Sequence, residues 1–460
     1  MLKKNDIVDL EIIDNGSAFE GIAKQDGIVI FVPDAIATEK VRAKIIKVTS
    51  SYAIAKVEKI LVKSSYREEP FCSAFKYCGG CMAQNISYDM QLHLKKQMVK
   101  NLLDKQKVEY LKMDNVIGMG MPYYYRNKVQ YPVRCVDGKT VIGFYRKNSH
   151  DIVENNCCYI QNRVIDMLAK NVLDELVKAG FKGYNDETKS GDIRHILIRR
   201  GYHTGEIMIV IVVNNKNLLS DFRMRSAVNN LVEKNDNIKN IFLNLNSSNT
   251  NEILGKEVKQ VYGMEKYITD YIGDFKYFIS PKSFFQVNTQ QAEVLYSTLK
   301  EGLKLKDNDV LFDLYSGVGS IGIFLSKNVK KVYGIEIEKT AVDMANLNIK
   351  ENGVSNAEYI AGSVEDKIIE FKDRKIKPDV IVADPPRRGL DKKSIDYILD
   401  FNPKKIGYVS CNPAMLARDL KLLEEKYTVY NITPVDMFPH TSHIECVSVL
   451  YRKDLKNKTF

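Results

Sequence analysis

The sequence predicts an α/β protein in three parts: a small N-terminal β-barrel over residues 1–62, a central α+β region over 63–285 and a C-terminal doubly wound, Rossmann-like sheet over 286–460. Three observations carry this. The first sixty residues alternate apolar and polar side chains in steps of two, the period of half-buried strands. From about Gln290, short apolar runs alternate with helix-length segments, as in a parallel sheet with helices on both faces. At the head of that alternation a strand runs through a glycine turn into a helix, the place where such sheets take ligands.

The elements follow in order. Ile7, Leu10 and Ile12 begin the barrel, and runs at 27–32, 41–48 and 52–61 continue it between the turns Asp14-Asn15-Gly16 and Asp26-Gly27. A polar linker at 63–70 leads to three close cysteines and an amphipathic helix over 88–106. Strands at 128–134, 193–200, 206–213 and 238–245 are mixed with helices at 163–179 and 218–234, an α+β pattern. Parallel strands are expected at 310–314, 331–335, 357–361, 380–383 and 405–409, with two more at 427–433 and 445–451.

Composition narrows the class. At 460 residues, 45% hydrophobic and 27% charged, the chain is ordinary globular protein with room for several cores. Lysine and arginine exceed aspartate and glutamate by 68 to 58; the +10 balance suits a polyanionic partner only mildly. The most apolar run, 207–213, is strand-length, against the roughly 20 residues of a spanning helix, and the polar N-terminus has no signal-peptide core. The expectation is a cytoplasmic protein with no membrane association and no obligate protein partner. Its eight cysteines then stay reduced, so clustered ones serve metal binding or chemistry rather than disulfides.

Leu311 to Ser320 form the apolar strand and glycine turn, in which Gly317 and Gly319 let the backbone turn tightly against a ligand. Glu336 ends the next strand, where a carboxylate can accept hydrogen bonds from ribose hydroxyls. A lone G-x-G fits nucleotides generally, but the third glycine of a pyrophosphate cradle is missing. The turn resembles motif I of S-adenosylmethionine-dependent methyltransferases, and Asp384-Pro385-Pro386-Arg387 resembles their acidic-Pro-Pro loop. The fifth strand leads into Ser410-Cys411-Asn412-Pro413, setting Cys411 on the rim beside a helix N-terminus that favours a thiolate. Glu445 begins the last strand.

Taken with Ser283-Phe284-Phe285-Gln286-Val287-Asn288 and His443-Ile444-Glu445, these motifs resemble, in order, those of the RNA uracil-C5-methyltransferases. The resemblance implies that Gln286, Tyr315, Gly317, Glu336 and Asp384 bind S-adenosylmethionine, that Cys411 is the nucleophile and that Glu445 is the base. The chemistry accounts for such a pair. C5 of uracil is a poor nucleophile until a thiolate adds to C6, and the C5 proton must later leave to a base. Amino-group methylation is the competing chemistry, but there an aromatic residue usually follows the prolines, whereas here Arg387 does.

Cys72, Cys78 and Cys81 form a C-x5-C-G-G-C pattern, and a fourth thiolate from Cys157 or Cys158 completes an iron–sulfur or zinc site. The resemblance implies a 4Fe–4S cluster with Cys158 as fourth ligand; zinc is the alternative. Gly16, Glu20-Gly21-Ile22-Ala23 and Val29 to Pro33 resemble a TRAM domain, a small RNA-binding barrel. Tyr123-Tyr124-Tyr125-Arg126-Asn127-Lys128 sets aromatic and basic groups together, as base stacking and phosphate contact require; core tyrosines at a strand start are an equal reading. The expected partner is RNA: 23S ribosomal RNA by the resemblance, with the T-loop uracil of tRNA as the alternative.

Overall fold

The computed structural model describes residues 2–155 and 157–455; Met1 and 456–460, the outermost ends of the first and third expected parts, lie outside it, as does Asn156. Strands Ile7–Glu11, Lys40–Val48, Tyr52–Val62, Ile28–Val32, Gly21–Gln25 and Asp14–Asn15 stand side by side in that order. The two edge strands are consecutive in the chain, with only Ile12 and Ile13 between them, so the sheet closes into a barrel. Alternate side chains (Ala23, Ile30, Val32, Val41, Ala43, Ala53, Ala55) fill its interior; the alanines keep that interior small.

The central sheet runs in the order Glu257–Tyr262, Ile238–Leu245, Ile207–Val213, Ile193–Arg200, Lys128–Val136, Lys139–Ile142. Every residue of Ile207–Val213 is buried, which is why that run reads as continuously apolar. The single helix expected over 218–234 is instead a 3-10 turn, Lys216–Ser220, followed by the helix Phe222–Glu233. The break falls at Asp221, whose carboxylate accepts the Arg223 N–H and caps the second helix.

The C-terminal sheet has eight strands, in the order Ala357–Ala361, Lys331–Glu336, Val310–Leu314, Val380–Ala383, Lys405–Ser410, Glu445–Arg452, Tyr427–Val435, Tyr110–Met113. Chain order reverses between Val310–Leu314 and Val380–Ala383, which opens a crevice at their C-terminal ends. Side-chain alternation divides the interior in two. Leu311, Val380, Val382 and Val409 pack on one face, and Phe312, Leu314, Ile381, Ala383, Ile406 and Tyr408 on the other. The strand Tyr110–Met113, unread in the sequence, joins the far edge parallel to Tyr427–Val435. Among the described residues no helix is long and apolar enough to cross a membrane.

The helix Tyr88–Lys105 ties this edge to the loop between the last two strands. Lys95 Nζ lies 2.6 Å from Asp436 Oδ1 with both side chains fully buried; Tyr88 Oη also donates to Asp436, at 2.9 Å. Removing one member of a buried pair strands the other's charge. Lys95→Ala is therefore expected to cost about 3–5 kcal/mol, read as a lower urea midpoint; an unchanged midpoint would show the pair to be dispensable.

Candidate active site

The site gathers on the C-terminal rim of the eight-stranded sheet. Lys405–Ser410 and Glu445–Arg452 pair antiparallel, with Ser410 opposite Cys446. Cys411 and Glu445 are the immediate neighbours of that pair, so two residues 34 positions apart come together at the end of one ladder. Cys411 is partly exposed and Glu445 is buried. Asp384 follows the neighbouring strand Val380–Ala383, and its loop is tied to the cysteine turn where Asn412 Nδ2 donates to the Arg387 carbonyl at 2.8 Å. Beyond it, Arg418 Nη2 donates to the Leu390 carbonyl, while Asp419 accepts the Leu390 N–H and the Tyr408 hydroxyl.

The thiolate expected from the helix N-terminus is not what the free protein holds. Burial first, then the nearby Glu445 and Asp384 carboxyls, push the Cys411 thiol up to about 11, against a smaller pull from Arg387. The helix Pro413–Leu423 spends its first N–H groups elsewhere. Asn412 Oδ1 accepts from Ala414 N, and Ser410 Oγ accepts from Asn412 N. Burial also holds Glu445 well above the usual carboxylate range, with Asp384 adding to the shift and Arg387 opposing it. Asp384 is raised to about 7 by burial. Asp313 reaches about 7 through burial, with Asp384 and Glu336 adding to it.

At the crevice, Tyr315 has φ +61° and Gly317 φ +55°, so the strand leaves the sheet in a tight left-handed turn. A Cβ on Gly317 would meet no atom within 4 Å, so the turn faces open space. Glu336 accepts the N–H groups of Gly317 and Glu338, each at 2.9 Å. The buried Ser316 Oγ has no hydrogen-bond partner within the protein. Tyr315 Oη lies 2.9 Å from Ser394 Oγ. Gln286 is buried, its carbonyl accepting from Asn127 Nδ2 at 2.9 Å. An open turn, an unpartnered hydroxyl and acidic groups suit a cationic, hydroxyl-rich ligand such as S-adenosylmethionine.

Cys72, Cys78, Cys81 and Cys158 line one cavity of about 80 Å³, and Cys157 does not. Arg126 lines it too, with a buried, unpartnered Nε, as does Gln161 with an unpartnered Oε1. A cation and free polar groups facing four cysteines fit an anionic thiolate-bound centre. Among the described residues no group of three or more His, Cys, Asp or Glu side chains is placed to hold a metal ion.

Part of the aromatic–basic segment at 123–128 serves the interior, while Tyr124 stays partly exposed and accepts from Arg163 at the surface. Tyr125 is buried and donates to the Pro439 carbonyl, Arg126 turns into the cysteine cavity, and Tyr123 stacks on His440 at 5.2 Å. The run from Arg194 to Arg200 is likewise structural: Arg194 Nη1 donates to the Asn246 and Ser248 carbonyls. Sequence reasoning missed Asn412 as a bridge and Arg387 as the cation acting on both Cys411 and Glu445. Asn before Pro reads only as a helix cap, and nothing local announces what its side-chain amide reaches.

A methyltransferase sheet, with a cysteine and a carboxylic acid meeting on its rim, defines a class of RNA-modifying enzyme. The chain belongs to the tRNA (Uracil-5-)-methyltransferase family, whose pattern matches residues 87–453, and residues 2–57 form a TRAM domain. It is an RNA methyltransferase that uses S-adenosylmethionine. It is 43% identical over 457 residues to an uncharacterized RNA methyltransferase of Clostridium acetobutylicum, covering 98% of each chain. A similar relative in Streptococcus mutans is 41% identical over 454 residues, covering 98% of this chain and all of that one. Among solved structures, Pyrococcus abyssi tRNA (uracil-54, C5)-methyltransferase in complex with S-adenosyl-L-homocysteine matches with a TM-score of 0.76 at 26% identity, covering 96% of this chain and 99% of that one.

Proposed function

We propose that the chain forms 5-methyluridine in RNA, with Cys411 as nucleophile and Glu445 as base. The observation that carries this reading is that Ser410 pairs with Cys446 on the rim, with Cys411 and Glu445 their immediate neighbours and the Glu445 carboxyl close enough to act on the Cys411 thiol. In the proposed sequence the partly exposed Cys411 thiol gives its proton to solvent as RNA binds, the resulting thiolate sulfur bonds to C6 of the uracil, and the C5–C6 π electrons move toward O4, which makes C5 nucleophilic. S-adenosylmethionine supplies the methyl group that C5 takes. Glu445 then accepts the C5 proton, the C5–C6 double bond re-forms and the sulfur leaves. Holding the Cys411 thiol protonated before RNA arrives keeps the sulfur from reacting with other electrophiles.

Tyr315, Gly317, Glu336, Gln286 and Asp384 are proposed to hold S-adenosylmethionine, with Glu336 on the ribose and Asp384 near the cationic methionine end. Because burial raises Asp384 to about 7, a cationic ligand must draw the carboxylate into its charged form. Affinity should therefore rise as pH climbs through 7, by about tenfold between pH 6 and 8, and level off above. Calorimetric titration of S-adenosylmethionine across that range checks this, and Asp384→Asn should flatten the profile; a flat wild-type profile removes Asp384 from the donor site.

Cys72, Cys78, Cys81 and Cys158 are proposed to hold a 4Fe–4S cluster, with Arg126 as its buried counter-charge. A zinc ion on the same four thiolates is the second reading, and a brown protein with visible absorbance separates the cluster from it.

For the RNA we propose 23S ribosomal RNA, on the resemblance of the cysteine pattern combined with a TRAM barrel. The T-loop uracil of tRNA is the second reading, and one observation favours it. The solved tRNA enzyme covers 96% of this chain, which leaves too few residues unmatched to exclude the barrel, so the barrel does not separate the two substrates. Mapping 5-methyluridine in ribosomal and transfer RNA from cells with and without the gene decides. A site lost from ribosomal RNA supports the first reading, one lost from tRNA the second, and no lost site sinks both.

A further inference from the structure

The chain reaches Glu445 through a loop that turns on one buried histidine. Val435 and Glu445 pair across the mouth of that loop, so residues 436–444 leave the rim and return to it at the proposed base. The first half of the loop has its own anchors. Asp436 meets Lys95, Asn288 Nδ2 donates to the Met437 carbonyl at 3.0 Å, and Lys95 Nζ donates to the Phe438 carbonyl at 3.1 Å. The second half, which leads into Glu445, is held at His440.

His440 has φ +64°, a left-handed backbone that Asn, Asp and His enter more readily than most residues and that β-branched side chains all but refuse. Strain of that kind persists where the surroundings fix it, and it gathers at functional sites. Here three segments fix it. From the helix Tyr88–Lys105, the Gln91 side chain accepts the His440 N–H at 3.1 Å, and its amide nitrogen lies 3.2 Å from His440 Nδ1. From the cysteine segment, Met82 and Ala83 donate to the His440 carbonyl at 2.9 and 3.2 Å, directly after Cys81. The ring stacks on Tyr123 at 5.2 Å and meets the Phe71 ring edge-on at 5.0 Å. The same Gln91 amide donates to the Ala83 and Ile86 carbonyls, which binds the first two segments to each other.

We infer that His440 is a positioning residue for the proton-transfer step: clamped by the helix, the cysteine segment and Tyr123, it keeps the Glu445 carboxyl where it takes the C5 proton. The inference rests on the reading of Glu445 as base and adds what holds that base in place. Three residues beyond His440, His443 comes within electrostatic reach of Arg387, the cation that also acts on Cys411 and Glu445. Cys411 is tied instead to the Asp384 loop, through Asn412 Nδ2 on the Arg387 carbonyl. Loosening His440 should therefore disturb proton removal and spare thiol addition.

The test follows one turnover of the full-length protein with S-adenosylmethionine and RNA from cells lacking the gene, transfer and ribosomal fractions taken separately. Formation and breakdown of the covalent RNA–protein adduct are timed apart. His440→Val, which removes the ring and resists the left-handed turn, is expected to slow breakdown by about 10²-fold and to form adduct at nearly the wild-type rate. His440→Asn keeps the turn without the ring and should fall between that variant and the wild type; it carries the test alone if His440→Val does not fold. Hydrogen exchange should quicken at residues 441–445 in both variants and stay unchanged at 405–410. Equal slowing of formation and breakdown makes the histidine a structural residue only and overturns the inference. So does wild-type breakdown in both variants while Glu445→Gln stalls. Wild-type breakdown in Glu445→Gln sinks the base reading instead, and exchange then decides alone: unchanged protection at 441–445 overturns the grip of His440 on the loop.

Discussion

Cys411→Ala is expected to lower 5-methyluridine formation by four orders of magnitude or more, about the scale on which loss of a nucleophile acts. S-adenosylmethionine affinity should stay near the wild-type value, because the proposed donor residues lie on other strand ends. RNA bearing 5-fluorouridine should trap the wild-type protein covalently, since a fluorine at C5 cannot leave as a proton, and should fail to trap the variant. The free thiol, raised to about 11, should also alkylate slowly near neutrality and about tenfold faster per pH unit toward that value. Methylation that persists in Cys411→Ala would falsify the thiolate route and leave direct methyl transfer in its place.

The fold was legible where periodicity and spacing speak. Strict strand–helix alternation yields the parallel sheet, and the glycine turn and Asp384-Pro385-Pro386 mark the ends where its crevice opens. What local pattern cannot carry is pairing across long gaps. Tyr110–Met113 has no signal tying it to Tyr427–Val435, more than 300 residues away, and Lys95 reads as a surface cation of an amphipathic helix until Asp436 meets it in the core. The site shows the same limit. Residue types and motif order name Cys411 and Glu445, but their protonation depends on neighbours that arrive from other strands. The helix N-terminus beside Cys411 suggested a thiolate, and the opposite direction prevails because Asn412 and Ser410 occupy the N–H groups while burial and two carboxyls act on the sulfur.

Glu445→Gln should separate the two halves of the reaction. The amide is nearly the same shape as the acid but takes no proton, so Cys411 can still add and C5 can still accept its methyl group while elimination stalls. Turnover is expected to fall by about 10²–10⁴-fold, and a methylated RNA–protein adduct should accumulate, visible as a band that survives denaturation. Burial holds Glu445 well above the usual carboxylate range, so its ionised form grows as pH rises. The rate of adduct breakdown in the wild type should climb with pH for that reason. Arg387, the cation that opposes the shift on both Glu445 and Cys411, sets where the climb begins. Arg387→Gln leaves each acid more strongly protonated and should move the whole profile to higher pH, with catalysis recovering in alkaline buffer. A Glu445→Gln protein that turns over at the wild-type rate without adduct assigns the proton to another base, and an Arg387→Gln profile that keeps its pH position removes the arginine from the control of either group.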